Sequence, residues 1–211
     1  MAAFKITLLL AAVMTISVGH PAAGQAADEP VKPAHCTVDT EQMMQLEPKA
    51  FDQDMNGGWR PLASQDGCEK AAADLIKTYI DRNWRKLEPS SLHPLYWHEG
   101  QMEAAVGDYR AAKALMMAGV NPDKRGMELG FYEYALGTIA FLNRDLAGLK
   151  ASRRRLAALP EPSWFKVEFE GTGLQWPANL SVLDSLIRCF NAPYAIAYMD
   201  KCPAETKAPQ R

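Results

Sequence analysis

Gly100-Gln-Met-Glu-Ala-Ala-Val-Gly-Asp-Tyr-Arg-Ala-Ala-Lys-Ala-Leu115, closed by Gly119 and Asn121-Pro122, is the stretch around which the chain is organised. Met102, Ala105, Val106, Tyr109, Ala112 and Met116 recur at i, i+3, i+4 and i+7, which predicts one amphipathic helix with a single apolar stripe. Its alanines and Gly107 keep it slim, so a neighbouring helix can approach closely. Packed helical hairpins need that slimness.

Upstream, Val38 to Ala50 is a short helix that Asp39 can cap and Pro48 limits. Cys68 to Trp84 is a clear amphipathic helix with Ala72, Leu75, Ile76, Tyr79 and Ile80 on one face, and Ser64 or Asp66 can cap it. Ser90 or Ser91 opens a shorter helix through Leu92 and Tyr96, with Pro94 tolerated in its first turn. Downstream, a helix from about Lys124 to Asn143 is apolar on both sides, as expected of a central element lying between two neighbours. Its stripes are Leu129, Tyr132, Leu136 and Ile139, and Phe131, Tyr134, Phe141 and Leu142. Asp145 caps the next helix. Pro160 to Pro177 breaks the pattern. There Trp164 to Glu170 alternates with period two, and without a partner strand it reads as an extended segment draped over the helices. Asn179 then caps a helix from Leu180 to Phe190, and Pro193 starts a last one. About seven or eight antiparallel helices, with one irregular segment before the last two, make the fold class all-α.

Gly100, Ala105, Tyr109 and Ala112 stand at the relative spacing of the Gly, Ala, aromatic and Ala positions of the tetratricopeptide repeat. Leu92 and Tyr96 sit where that repeat's first helix carries its Leu and Tyr. The chain therefore resembles a tetratricopeptide-like helical repeat over about one repeat, with a second matched poorly. Pro89 and Pro94 depart from the pattern, and Met117 stands where the closing Pro is expected. The resemblance implies a short right-handed stack of helical hairpins with a peptide- or protein-binding role.

The chain has 211 residues, room for one domain with a real core. Its ends carry other information. Residues 1–26 read as a signal peptide: Lys5 is the positive start, Ile6 to Val18 the apolar run, and Ala22 to Ala26 the small-residue cleavage region. The run is too short for a membrane span, and nothing later is long enough. Residues 27–37 form an extended leader, 38–203 a single helical domain and 204–211 a disordered tail. The expected location is exported, periplasmic or secreted. An even set of cysteines, Cys36, Cys68, Cys189 and Cys202, then argues for disulfides. Four cysteines allow three pairings. Cys189 with Cys202 across a short hairpin turn, and Cys36 with Cys68, are favoured.

A net charge of −2 argues against nucleic acid as a partner. Arg153-Arg154-Arg155 reads as a solvated face near a helix C-terminus, where cations are favoured. No G-x-S-x-G, H-E-x-x-H or phosphate-cradling loop occurs, and no cofactor is called for. Asp52, Asp54, Asn56 and Gly57 match the opening of a calcium loop, where alternate oxygens converge on a hard cation. Arg60 and Ala63 then fill positions that need oxygen ligands. The plainer reading is an Asx-rich turn. His93 and His98 stand about 140° apart around a helix and are poor joint ligands. His98 with Glu99 is a candidate acid/base pair for an all-α enzyme. The aromatic and polar residues expected to form a binding surface are Trp97, His98, Tyr132, Trp164 and Trp176, while Trp84 and Trp97 should lock helix ends together. The leading expectation is a scaffold that binds a peptide or partner protein, with the enzyme and a weak calcium module as alternatives.

Overall fold

The computed structural model describes residues 33, 35–121 and 130–203. The expected signal peptide, most of the leader, the tail 204–211 and the start of the helix at Lys124, with Leu129, lie outside the described residues. Within them the chain is all-helical, with eleven helices and no strand. The described residues all fall in one compact unit.

Gly107 decides the topology, and it corrects the reading of residues 100–115 as one helix. Its φ of +90° is a left-handed conformation that favours glycine. The helix that carries Gly100, α5 (Pro89–Ala105), stops there, and α6 (Tyr109–Gly119) begins two residues later. The Gly107 N–H donates to Ala104 O at 3.1 Å and the Asp108 N–H to Glu103 O at 3.0 Å, so two orphan carbonyls of α5 are satisfied. Asp108 then accepts the Ala111 N–H at 2.9 Å and caps α6. The turn chemistry outweighs a continuous apolar stripe. At the other end, α5 begins earlier than expected and takes in the segment assigned to a separate short helix, with Pro94 inside it.

Close approach between α5 and α6 comes from two other glycines. A Cβ on Gly100 would lie 3.0 Å from Ala112 O and 2.8 Å from Met116 Cγ. One on Gly119 would lie 2.8 Å from Trp97 N and 2.9 Å from His93 O. The backbones therefore nearly touch at both places.

The same turn recurs between α7 (Phe131–Leu142) and α8 (Leu146–Ala157). Here Arg144 takes the left-handed position at φ 58°, Asp145 N–H donates to Ala140 O, and the Asp145 carboxylate caps α8 at Gly148 N–H, 2.8 Å away. α7 is central as expected, packing against α6, α8 and α10 (Leu180–Arg188). Arg154 and Arg155 fall in the last turn of α8, while Arg153 grips Asp184 of α10 with two hydrogen bonds of 2.8 and 3.1 Å.

The N-terminal residues differ from expectation in detail. Val38 to Ala50 is two short helices, α1 (Thr40–Met44), capped by Asp39, and α2 (Pro48–Asp52), which Pro48 starts. A single turn, α3 (Arg60–Ala63), precedes α4 (Glu69–Asn83). Neither Ser64 nor Asp66 caps α4; Cys68 occupies that position and is tied to Cys36 instead. The second disulfide joins Cys189 to Cys202 across α11 (Tyr194–Tyr198).

Trp164 to Glu170 is not extended. Ser163–Glu168 is a short helix, α9, because an unpaired strand would leave its backbone groups without partners whereas one helical turn satisfies them locally. Phe165 and Phe169, four apart, share a face and pack ring on ring at 5.2 Å, and Phe165 also meets Trp176 at 5.1 Å. Trp84 also departs from expectation. At the end of α4 it is 61% exposed, with the Arg85 guanidinium over its ring.

Two apolar clusters result. One gathers Cys36, Phe51, Trp59, Cys68, Ile76, Tyr79 and Leu95 around α4. The other gathers Met116, Tyr134, Phe141, Leu149, Leu156 and Leu183 around α7. α5 is the wall between them, giving Leu95 to the first and Trp97 and Ala104 to the second.

Candidate functional site

On α5, residues 90, 93, 94, 97 and 98 follow one another at helical three- and four-residue steps, so Ser90, His93, Pro94, Trp97 and His98 share one face. That face closes one side of a cavity of about 230 Å³. The end of α6 supplies Gly119 and Asn121, the start of α7 supplies Phe131 and Tyr132, and Gln53 after α2 completes the wall. Trp97 is buried, wedged edge-on against Phe131 at 4.9 Å and Tyr134 at 5.4 Å. These perpendicular rings make a stiff apolar floor. No Asp, Glu, Lys or Arg lines the cavity among the described residues.

His98 is held from behind. Its Nδ1 lies 2.7 Å from Asp52 Oδ1. The same oxygen accepts the Trp59 indole N–H at 3.0 Å, and Oδ2 accepts the Gln53 amide. Arg60 adds two bonds to the Asp52 carbonyl, at 2.9 and 3.2 Å, and stacks its guanidinium over the Trp59 ring at 4.5 Å. Burial pushes the Asp52 carboxyl up, but the hydrogen bond and charge of His98 and the bonds from Trp59 and Gln53 outweigh it and hold the group below its ordinary value. Asp52 is therefore an ionised acceptor, and the proton between the two groups sits on His98 Nδ1. A tight loop makes this possible. Gly58 has φ +57°, and a Cβ there would collide with Phe51 O at 1.8 Å.

The residues singled out in the sequence divide accordingly. Trp97, His98 and Tyr132 come together at this cavity. Trp164 and Trp176 lie apart, beside a separate open depression that holds Phe165, Phe169 and Leu174. Trp176 half-buries its ring and donates its N–H to Leu159 O at 2.9 Å, while Trp164 is 42% exposed. His93 and His98 border one cavity from opposite flanks of the α5 face, which their spacing of five alone does not convey. His98 pairs with Asp52 rather than with Glu99, which faces α4.

Asp52 and Asp54 both accept hydrogen bonds within the protein. The Asp52 carboxylate is turned inward as described. Asp54 Oδ1 accepts the Asn56 N–H at 2.9 Å, the geometry of an Asx turn. Among the described residues, the groupings of His, Cys, Asp and Glu with metal-like proximity are His35, Cys36 and Cys68, and Cys189, Asp200 and Cys202. In both, the sulfurs are consumed by a disulfide.

Glu99 and Glu103 occupy the opposite side of α5. Glu103 accepts Lys70 Nζ at 3.0 Å, and Lys70 also reaches Asp74 at 2.8 Å. Glu99 is buried, with no hydrogen bond from the described residues. Burial first, then the Glu103 charge, push its carboxyl up to about 7.

No protein-family model, no curated protein and no solved structure matches this chain.

Sequence reasoning missed Gln53, Ser90, Pro94, Gly119 and Asn121 as cavity residues. The 90/93/94/97/98 spacing was a readable signal for the α5 side. Gln53 and Gly119 come from distant segments and carried none.

Proposed function

We propose that the protein is an exported, disulfide-stapled binding module built of stacked helical hairpins in the manner of tetratricopeptide-like repeats. It receives a peptide or partner protein by drawing one uncharged side chain into the cavity between α5, α6 and α7. The observation that carries the reading is the cavity's make-up: aromatic walls at Trp97, Phe131 and Tyr132, a polar rim at Ser90, His93, His98 and Gln53, and no Asp, Glu, Lys or Arg among the described lining residues. Such walls reward burial of an apolar body, while the rim supplies hydrogen bonds that fix its orientation. At about 230 Å³ the space is below the roughly 300–1,000 Å³ of drug-sized ligand sites, which favours a single side chain over a cofactor.

The paired helices α5 with α6 and α7 with α8, each joined by a three-residue turn that ends in an Asp cap, support the stacked-hairpin description. The Cys36–Cys68 and Cys189–Cys202 pairs support an oxidising, exported setting. No helix among the described residues is long and apolar enough to cross a membrane.

A peptide array probed with the full chain tests the proposal. Ser90 is exposed at the rim in the first turn of α5, so Ser90→Arg obstructs the entrance without touching the core. Binding of a common sequence pattern that Ser90→Arg reduces at least tenfold is the expected result. Bound peptides indifferent to Ser90→Arg would remove the cavity from the reading.

A further inference from the structure

The Asp52–His98 contact does more than position a ring, because it selects which imidazole nitrogen carries the proton. A carboxylate only accepts, so Nδ1 is the donor, and in the imidazole form of the ring the lone pair is then on Nε2. No described residue hydrogen-bonds that nitrogen. No buried side-chain nitrogen or oxygen lacks a partner either, so Nε2 is reachable from outside the protein. His98 lines the cavity and its other nitrogen is turned back toward Asp52. Nε2 is thus an acceptor presented to whatever enters.

Its setting defines what fits. Trp97 and Phe131 form a perpendicular aromatic wall, and Gly119 lets the α6 backbone come up against Trp97 without a side chain between them. At about 230 Å³ the space has room for one aromatic ring. A bare acceptor is satisfied by an O–H or N–H at the ring's edge and is left unpaired by a ring that has none.

We propose that the cavity selects an aromatic ring bearing a hydrogen-bond donor, a phenol above all, with His98 Nε2 accepting the donor's proton in a hydrogen bond and Asp52 holding the tautomer that places the lone pair there. This rests on the reading of the cavity as a ligand site and names the chemistry of its occupant. A free phenol and a tyrosine side chain of a peptide share this chemistry.

The test uses the wild-type full chain, because removing His98 would leave Asp52 short of a donor. Trp fluorescence and nitrogen-detected histidine NMR are followed during titration with p-cresol and with 4-methylanisole, in which the same oxygen is methylated. The pair Ac-Gly-Tyr-Gly-NH2 and Ac-Gly-Phe-Gly-NH2 is titrated alongside. The expected result is about five- to tenfold tighter binding of p-cresol than of 4-methylanisole, the size of one neutral hydrogen bond. His98 Nε2 should report an unprotonated nitrogen whose resonance moves with p-cresol. A tyrosine preference in the peptides assigns the source to a polypeptide, and p-cresol selectivity without it assigns a free phenol; either supports the proposal. Equal affinities for p-cresol and 4-methylanisole overturn the donor rule while leaving the cavity a ligand site. Protonated Nε2 in the free protein overturns it as well. If neither ring binds at millimolar concentration, the cavity falls as a ring site and the inference falls with it. A peptide preference sensitive to Ser90→Arg would then still stand on its own.

Discussion

His98 and Glu99 are adjacent in sequence, yet the two sides of α5 that they face treat a buried carboxylate in opposite ways. On the His98 side, Asp52 is surrounded by donors from three residues and stays ionised. On the Glu99 side, a carboxyl of similar burial meets another carboxylate at Glu103 and receives no hydrogen bond from the described residues, and it holds its proton up to about neutral pH. Depth is the same, so burial alone does not set the charge of a buried acid. The supply of donors does. Asp52 is useful to the cavity because it is fully supplied, and Glu99 limits stability because it is not.

The largest expected effect comes from breaking the supplied side. Asp52→Ala leaves the buried Trp59 indole and the partly buried His98 Nδ1–H without an acceptor and should cost about 3–5 kcal/mol in urea unfolding. A loss below about 1 kcal/mol would show that the donors find other partners and that the contrast is not energetic. The pH dependence has a definite sign. Asp52 has a lowered value in the folded state, so its contribution is present above its ordinary value of 3.8 and is lost as pH falls through that range.

The unsupplied side runs the other way. Glu99 is raised from 4.5 to about 7, so its favourable contribution is complete below pH 4.5 and disappears as pH rises through 7. Glu99→Gln mimics the protonated form. It should stabilise the protein by about 2 kcal/mol at pH 8, allowing for partial solvent screening, and change little at pH 4. Thermal unfolding of both proteins at the two pH values checks this, and equal gains at both would mean the substitution acts through packing.

A smaller change sharpens the picture. Lys70 is held above its ordinary value because its bonds to Asp74 and Glu103 outweigh its desolvation. Lys70→Met removes a cation that eases the crowding of acids. It should cost about 1 kcal/mol at neutral pH and extend the decline of stability with rising pH to higher pH, because the Glu99 carboxyl loses a cation that lowers it. Smallest of all, Asp81→Asn deletes the exposed Lys77–Asp81 pair, worth about 0.3–0.5 kcal/mol, and a double-mutant cycle should read no more.

Much of the architecture was legible residue by residue. The α4 stripe, the Asp39 and Asp145 caps and the Cys189–Cys202 pair rest on local spacing or short loop closure, which a linear reading captures, whereas Cys36–Cys68 spans 32 residues. The same reading ran α5 into α6, because an unbroken apolar stripe masked the Gly107-Asp108 punctuation. It also set His98 beside Glu99, since adjacent residues look like partners on paper, although a helix turns them about 100° apart.

What this sequence determined alone is an all-helical chain with paired cysteines, because helical periodicity, caps and turns are properties of neighbours along the chain. What only the tertiary structure decided is the pairing of Asp52 with His98 and the isolation of Glu99. Both depend on which distant helix arrives at each face of α5. The charge of a buried group is set by those arrivals, and no local pattern records them.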